Sequence, residues 1–314
     1  SLAFSYGISI QIGYTSLVRG TSTKYSVSLV TKDDSANPTT AAANARAFVS
    51  ENKKPLLLIG EIGTAISQQV ASAAILNGVP FFSPVSGALE MRFPFRKQVI
   101  NIRPSLIDEI GSVADFLLRT KHVVSVGLLQ PATGDESTYS TVDKVLDAAG
   151  LMINGWARFD PSGADMLTPW GILRKAWAKA VIVSSASSLI GAISKVAVSE
   201  NFAPMLIFLS TDNDGLLRAL SESKVPYPGE LYFMSVVPPI DFNSTLALTY
   251  RSVLKNQTTT PIPKLYQKPS YIGLEGFLTA RFVYAVLDEL TSRGLNITTD
   301  AMLSLIYSKG TWTI

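Results

Sequence analysis

The chain has 314 residues, of which 47% are apolar and 16% are charged, and this length and composition predict a globular protein with two compact units. The net charge is only +3, and the 27 lysines and arginines are interspersed with 24 acidic residues, so no basic block marks a surface for nucleic acid or membrane. Cysteine is absent, which excludes disulfides, thiolate catalysis and cysteine-ligated metals, and no apolar run reaches the roughly 18 to 20 residues that cross a bilayer.

Short apolar runs rich in Val, Ile and Phe alternate along the chain with longer stretches of helical periodicity. This alternation predicts an α/β protein in which parallel sheets are flanked by helices. The predicted strands form two groups of five: Ile8–Tyr14, Tyr25–Thr31, Pro55–Gly60, Pro80–Ser83 and Val99–Arg103, then Val123–Gln130, Leu151–Phe159, Ala180–Ser184, Met205–Ser210 and Leu231–Val237.

Nine helices are predicted between and after these strands, and a polar, proline-bearing surface loop is predicted at Thr258–Lys268. The helices are Thr39–Asn52, Thr64–Asn77, Ser105–Thr120, Asp135–Ala149, Asp165–Ala178, Ser187–Glu200, Asn213–Ser223, Ser244–Lys255 and Pro269–Arg293. One connection does not fit, because Tyr14 to Tyr25 is too short for a helical crossover between parallel strands. Either these two strands pair antiparallel or a segment is missing there.

The segment Gly60-Glu61-Ile62-Gly63-Thr64 lies where a buried strand should turn into a helix. Its glycines permit a tight turn, and Thr64 offers a hydroxyl beside the free amides of a helix N-terminus, a combination that suits a carboxylate. The alternative is an ordinary strand-to-helix turn in which Thr64 is the cap.

A second candidate segment, Ser83-Pro84-Val85-Ser86-Gly87, follows the next short strand. Ser86 and the Gly87 amide would complete a small group of donors at the same edge of the sheet. The alternative here is a proline turn without a binding role.

Several segments together resemble one family, the leucine/isoleucine/valine-binding-protein branch of the type I periplasmic binding proteins. They are Leu57–Ala65, Gly78–Gly87, Val99–Ser105, Val126–Gln130 with Gly134, and Ser270–Gly276 with Ala280 and Arg281. The resemblance implies two doubly wound parallel-sheet lobes joined by a hinge, a Venus-flytrap arrangement, with the ligand in the cleft between them. It places lobe one at residues 1–120 and 239–303 and lobe two at 121–238, and it leaves 304–314 unassigned.

The resemblance also assigns site residues on lobe one. It places Thr64, Val85 and Gly87 where amino-acid-binding members hold the amino and carboxylate groups of their ligand, largely through main-chain groups. Asp33 and Asp34 resemble an acidic pair of the family, although charged residues that end a strand are more often solvated. The family has a helix between its first two strands, at the point where this chain is too short.

On lobe two, the resemblance places Thr133, Ala186 and Thr211 with Asp212 on the second wall of the cleft. The sequence departs from the family here, because branched-chain amino-acid binders carry aromatic residues near the first two positions and a carboxylate near the third. This departure implies a different or larger ligand. Asp212 would meet a cationic group, or alternatively it caps the following helix.

An enzyme is not expected. The single histidine, His122, begins a lobe-two strand, and the Pro84–Gly87 segment lacks the leading glycine of a nucleophile elbow. No spacing of ligand residues indicates a metal, and no glycine-rich phosphate loop indicates a nucleotide cofactor, so we predict neither a metal nor a cofactor.

We therefore expect the chain to bind a small polar ligand, amino-acid-like or another small carboxylate, as the sensor domain of a cell-surface receptor. The chain resembles the ectodomains of kinetoplastid receptor-type adenylate cyclases, and sequons at Asn243, Asn256 and Asn296 slightly favour an extracellular glycoprotein. The alternatives are the solute-binding component of an ABC-type transporter in a bacterial periplasm and a protein-interaction module without a ligand. The expected partners are the ligand, a membrane-embedded protein or a transmembrane segment outside this chain, and a second copy bound through lobe one.

Overall fold

The computed structural model describes residues 8, 11, 25–50, 54–134, 136–255 and 268–314. The chain divides into two compact units. The first contains Ser1–Arg103 and Val237–Ile314, and the second contains Pro104–Val236.

The described helices are α1 (Pro38–Ser50), α2 (Thr64–Leu76), α3 (Leu106–Asp115), α4 (Glu136–Ala148), α5 (Leu167–Lys175), α6 (Ile190–Ser199), α7 (Asn213–Glu222), α8 (Thr245–Lys255), α9 (Tyr271–Ser292) and α10 (Thr299–Lys309). A π-helical segment, Phe116–Lys121, continues α3, and short 3₁₀ turns occur at Leu89–Met91, Ser187–Leu189 and Ser210–Asp212. The strands are β1 (Leu58–Ile59), β2 (Phe81–Phe82), β3 (Val99–Ile100), β4 (Ser125–Pro131), β5 (Met152–Phe159), β6 (Ala180–Val183), β7 (Met205–Phe208) and β8 (Leu231–Phe233).

The first unit is built on a parallel sheet of order β1-β2-β3. Successive side chains of a strand point to opposite faces, so Phe81 packs with α1 and α2 whereas Phe82 packs with α9 and α10. Burial on both faces explains why these strands read as continuous apolar runs in the sequence.

The second unit has a five-stranded parallel sheet of order β5-β4-β6-β7-β8. Leu129, Val183 and Phe208 face a core formed with α5, α6 and α7. Leu128 and Ile182 face the opposite core, formed with α3 and α4. The sheet is therefore covered by helices on both sides, as the doubly wound architecture requires.

All nine predicted helices are present, with ends that differ by a few residues, and α10 is an additional helix that the sequence interpretation missed. The predicted strand Ile8–Tyr14 is wrong at the two positions that the structure describes, because Ile8 and Gln11 are helical. Tyr25–Thr31 is described but pairs with none of the described strands. Most of the short Tyr14–Tyr25 connection and of the loop Thr258–Lys268 lies outside the described residues.

The boundary between the units also differs from the expected position at residue 120. Helix α3 begins only three residues after Arg103, and its Ile110 and Val113 pack against Val126 and Leu128 of β4. This packing places residues 104–120 in the second unit. The final residues, 304–314, belong to the first unit.

Candidate functional site

The candidate site of the first unit lies at the carboxyl ends of β1 and β2. After β1, Gly60 and Gly63 adopt φ values of 96° and 101°, and Glu61 between them has φ 76°. An L side chain rarely adopts such a conformation, so the turn stores strain at Glu61 and relies on glycine at the other two positions. The Ile62–Val85 parallel bridge then ties this turn to the segment that follows β2.

The two predicted loops meet at a pair of hydroxyl groups. Thr64 Oγ1 and Ser86 Oγ are 3.0 Å apart, and the Ala88 amide donates to Ser86 Oγ at 3.2 Å. Ser86 is only 3% exposed, whereas Thr64 and Gly87 are partly exposed. The structure therefore brings together three residues that the sequence assigned to one site.

The N-terminus of α2 begins at this hydroxyl pair. Its N-cap is Gly63, and among the described residues no side chain forms a capping hydrogen bond with the helix. Thr64 is thus not the cap that the alternative interpretation required. Because the first amides of a helix lack intrahelical acceptors, this end of α2 presents N–H donors and a partial positive charge.

Val85 occupies a different position from the one expected. It is fully buried, its amide donates to the Glu61 carbonyl at 2.8 Å, and its carbonyl accepts from the Gly63 amide at 3.3 Å. Both main-chain groups are engaged within the protein, so Val85 shapes the corner and does not present a group to a ligand.

An acidic pair lies beside the hydroxyl groups. The Glu61 carboxyl is hydrogen-bonded to Asp34, and burial, followed by this contact and the negative charge of Asp34, raises the pKa of Glu61 to about 8. Asp34 is buried, whereas Asp33 is exposed, so only the second member of the predicted acidic pair lies in the interior. Two carboxyls that share a proton accept a cationic group well, because the cation can replace that proton.

Arg92 holds the backbone of this corner in place, and the sequence interpretation did not select it as a site residue. Its guanidinium donates to the carbonyls of Ser86 (3.2 Å), Ala88 (3.0 Å) and Arg103 (2.7 Å). Arg103 in turn forms a buried two-point ion pair with Glu275 of α9, at 3.0 and 2.7 Å. Arg92 directly follows a short 3₁₀ turn and belongs to no recognisable motif, whereas Glu61, a charged residue in a glycine turn after a buried strand, carried a usable signal.

In the second unit, the loops after β6 and β7 meet at Asp212. Its Oδ2 accepts from the Ser185 amide at 2.7 Å. The pKa of Asp212 is raised to about 6, mainly by burial and to a smaller extent by the negative charge of Glu109. Hydrogen bonds from Ser185 and Ser187 act in the opposite direction and lower this pKa. Asp212 is the N-cap of α7, but its side chain makes no capping hydrogen bond. Its carboxylate instead ties two loops of the sheet edge together.

The other residues assigned to the second unit differ in accessibility. Ala186 is fully buried in the core under α6, so it presents no surface to a ligand. Thr211 and Thr133 are exposed. Thr133 lies in a turn whose neighbouring carbonyls, those of Ala132 and Gly134, accept hydrogen bonds from Arg158 of β5.

Gln130, at the end of β4, is a buried polar residue that the sequence interpretation did not select. It is 1% exposed, and neither its amide nitrogen nor its amide oxygen has a hydrogen-bond partner within the described part of the chain. A buried amide without partners costs free energy of folding, so Gln130 marks a weak point in the packing beside the Thr133 turn.

Among the described residues, no cluster of three or more histidine or acidic side chains is arranged to hold a metal ion. Within the same residues, none of the helices combines the length and apolar character needed to span a bilayer.

Solved structures with the same architecture come from several bacteria. A possible leucine/isoleucine/valine-binding protein from Rhodopirellula baltica SH 1 superposes with a TM-score of 0.80 at 20% identity, over 99% of this chain and 82% of that one. A leucine-binding protein from Thermotoga maritima MSB8 gives 0.74 at 19% identity, over 96% and 82%. A fatty acid ABC transporter substrate-binding protein from Thermomonospora curvata gives 0.76 at 12% identity, over 96% and 75%.

These likenesses confirm the predicted α/β fold of two lobes with parallel sheets, the Venus-flytrap architecture. No curated protein matches the sequence significantly. The sequence profile of the family described as periplasmic binding protein matches residues 18–310, which is nearly the whole chain. The chain therefore belongs to the periplasmic binding protein family.

Proposed function

We propose that the chain binds a small polar ligand with an anionic group, an amino acid or another small carboxylate, and that it does so without catalysing a reaction. The observation that carries the proposal is the contact of 3.0 Å between Thr64 and Ser86 at the uncapped N-terminus of α2. Two hydroxyl groups and the free helix amides form a compact group of donors that suits a carboxylate.

The acidic pair beside this corner favours an α-amino acid among the carboxylates. Glu61 keeps its proton at neutral pH, because burial, followed by the contact with Asp34 and its negative charge, raises the pKa of Glu61 to about 8. A ligand ammonium group would supply the missing positive charge and release that proton. The corner therefore complements both charges of a zwitterion.

We propose further that binding begins on the first lobe and that the second lobe then closes on the ligand with Thr133, Thr211 and Asp212. The half-buried carboxyl of Asp212 suits a cationic or hydroxyl group. Closure would convert ligand binding into a change of conformation, which is how a two-lobed protein signals occupancy. The buried Ala186 would support this wall from beneath.

The biological role that we propose is the sensor domain of a receptor on the extracellular face of the plasma membrane, with a membrane-spanning part outside this chain. Asn243 and Asn296 of two sequons are exposed, as glycosylation requires, while Asn256 lies outside the described residues. The alternative is delivery of a solute to an ABC-type transporter in a periplasm. One of the similar solved structures favours that alternative, since it is named a fatty acid ABC transporter substrate-binding protein.

The experiment that tests binding is a thermal-shift screen of the purified chain against amino acids, small carboxylates, nucleosides and sugars. A ligand that binds only the folded state raises the melting temperature. We expect a hit among amino acids or carboxylates that Thr64→Ala and Ser86→Ala weaken about tenfold or more, in line with loss of a charge-assisted hydrogen bond. Ser72→Ala, at an exposed position of the same helix, is the matched control and should bind normally.

Other outcomes of the screen would separate the remaining roles. Unchanged affinity in both hydroxyl variants would refute the site on the first lobe. A screen without any hit would favour the third role, a module that works through protein contacts. Glycopeptide mass spectrometry of Asn243 and Asn296 in protein from its natural source separates an extracellular receptor from a periplasmic carrier.

A further inference from the structure

A cavity of the first unit has a lining that does not include Thr64, Ser86 or Gly87. Its volume is about 530 Å³, within the range of small-molecule sites. Residues of β3, α9, α10 and the segment after α10 line it, among them Ile100, Phe282, Tyr307, Trp312 and Ile314. None of the donors assigned to the first site belongs to this lining.

Aromatic rings form the walls of this cavity. Phe282 and Trp312 meet edge to face, with their centroids 5.5 Å apart, and Phe95 and Tyr307 do the same at 5.6 Å. Phe95 is 71% exposed, so this part of the wall opens to solvent. Such walls can bury the apolar part of a ligand while one end of the ligand stays in contact with solvent.

Two arginines contribute to the lining, and they differ in their contacts. Arg92 is engaged by the carbonyls of Ser86, Ala88 and Arg103. Arg96 is half-buried, and its side chain forms no hydrogen bond or ion pair with any of the described residues. The lining that the structure describes includes no aspartate or glutamate. A guanidinium beside apolar walls and without a carboxylate partner is suited to an anionic group.

Two buried polar atoms of the wall also lack partners. Asn101 Oδ1 and Trp312 Nε1 form no hydrogen bond with the described part of the protein. Native proteins seldom leave buried donors and acceptors unpaired. The described residues therefore leave these two atoms of the wall available to a ligand.

We propose that this cavity binds an amphipathic anion, a carboxylate with an aliphatic or aromatic body. Arg96 pairs with the carboxylate, and the rings of Phe95, Phe282 and Trp312 cover the apolar body. The site is separate from the one at Thr64 and would let a second class of molecule act on the same chain.

The test is calorimetric titration of the full chain with octanoate and, for comparison, with the uncharged 1-octanol. We expect Arg96→Gln to weaken octanoate binding about tenfold, the effect of losing a hydrogen bond to a charged group, and to leave octanol binding unchanged. Arg46→Gln, an exposed arginine on α1, is the matched control and should change neither. Octanoate should also alter the emission of Trp312, and this signal should vanish in Trp312→Phe.

Several results would overturn the proposal. The first is absence of octanoate binding, and the second is equal octanoate affinity in Arg96→Gln and the original chain. A third is loss of octanoate binding in Thr64→Ala, which would place this molecule in the first site. A fourth is a dimer in solution that Phe95→Asp dissociates, since the cavity would then be an interface between two copies.

Discussion

Replacement of Glu61 by glutamine is the perturbation that tests the acidic pair most directly. Burial and Asp34 raise the pKa of Glu61 from 4.5 to about 8 in the folded protein. The unfolded chain therefore releases this proton near pH 4.5, whereas the folded protein keeps it until about pH 8. It follows that the contribution of Glu61 to stability is unfavourable above pH 4.5 and worsens as the pH rises towards 8.

The size of the effect follows from the same values. At about 1.4 kcal/mol for each pH unit, the rise in pKa corresponds to at most about 5 kcal/mol. We expect at least about 2 kcal/mol of it to be measurable, because the carboxyl retains some exposure to solvent, which screens its interactions. Glutamine resembles the protonated side chain and still donates to Asp34, so Glu61→Gln should be nearly neutral at pH 5 and stabilising at pH 9.

The assay is urea unfolding of the original chain, Glu61→Gln and Asp33→Asn, followed by circular dichroism at pH 5, 7 and 9. Asp33 is the matched control because it is an exposed acidic neighbour of Asp34. The advantage of Glu61→Gln over the original chain should grow with pH, and Asp33→Asn should show no such trend. An advantage that stays constant within about 0.5 kcal/mol from pH 5 to 9 would refute the shared proton.

Three further predictions concern the buried polar groups. Arg103→Met should lower the free energy of unfolding by about 3–5 kcal/mol in denaturant titrations, because Glu275 is left buried without its partner. The double variant Arg103→Met/Glu275→Leu should recover most of this stability. If the double variant is as unstable as the single one, this account is wrong. In the original chain, the free energy of unfolding should fall by up to about 3 kcal/mol as the pH rises from 4 to 6, since burial raises the pKa of Asp212 from 3.8 to about 6 in the folded protein. Asp212→Asn should not show this fall. A pH profile parallel to that of the original chain would contradict the prediction. Gln130→Met should raise the free energy of unfolding by about 1 kcal/mol, since it removes two buried polar atoms that have no partner among the described residues and keeps a similar volume. A lower melting temperature would show that water pairs these atoms.

The sequence predicted the second unit well because periodicity and burial agree there. Its central strands β4, β6 and β7 are mostly apolar and buried on both faces, and each of the five strands is separated from the next by a helix with a clear apolar stripe. The first unit was harder, since the described strands β1, β2 and β3 have only two residues each. Whether such a short segment becomes a strand depends on pairing with its neighbours more than on its own β-propensity. Tyr25–Thr31 has the residue types of a strand and was predicted as one, although its residues pair with no described strand.

The boundary between the compact units follows Arg103 and not the expected residue 120, for a related reason. Ser105–Thr120 was correctly predicted as a helix, and its N-terminus carries a capping box formed by Ser105 and Asp108. Nothing in a helical pattern states which sheet the helix will cover. That choice depends on Ile110 and Val113 finding the β4 side chains Val126 and Leu128, a contact that appears only in the folded chain.

The candidate site shows the same division between what a motif specifies and what packing decides. Glycine spacing located the turn at Thr64, because only certain residues tolerate the backbone that the turn requires. The availability of each residue to a ligand depends instead on the layers around it, and these leave Ser86 hydrogen-bonded to Thr64 but enclose Val85 and Ala186 completely. A family resemblance indicates which positions along the chain correspond to site residues, but it does not indicate whether their side chains are accessible to a ligand. For this reason the hydroxyl pair, rather than the positions as a set, is the part of the site on which mutagenesis should begin.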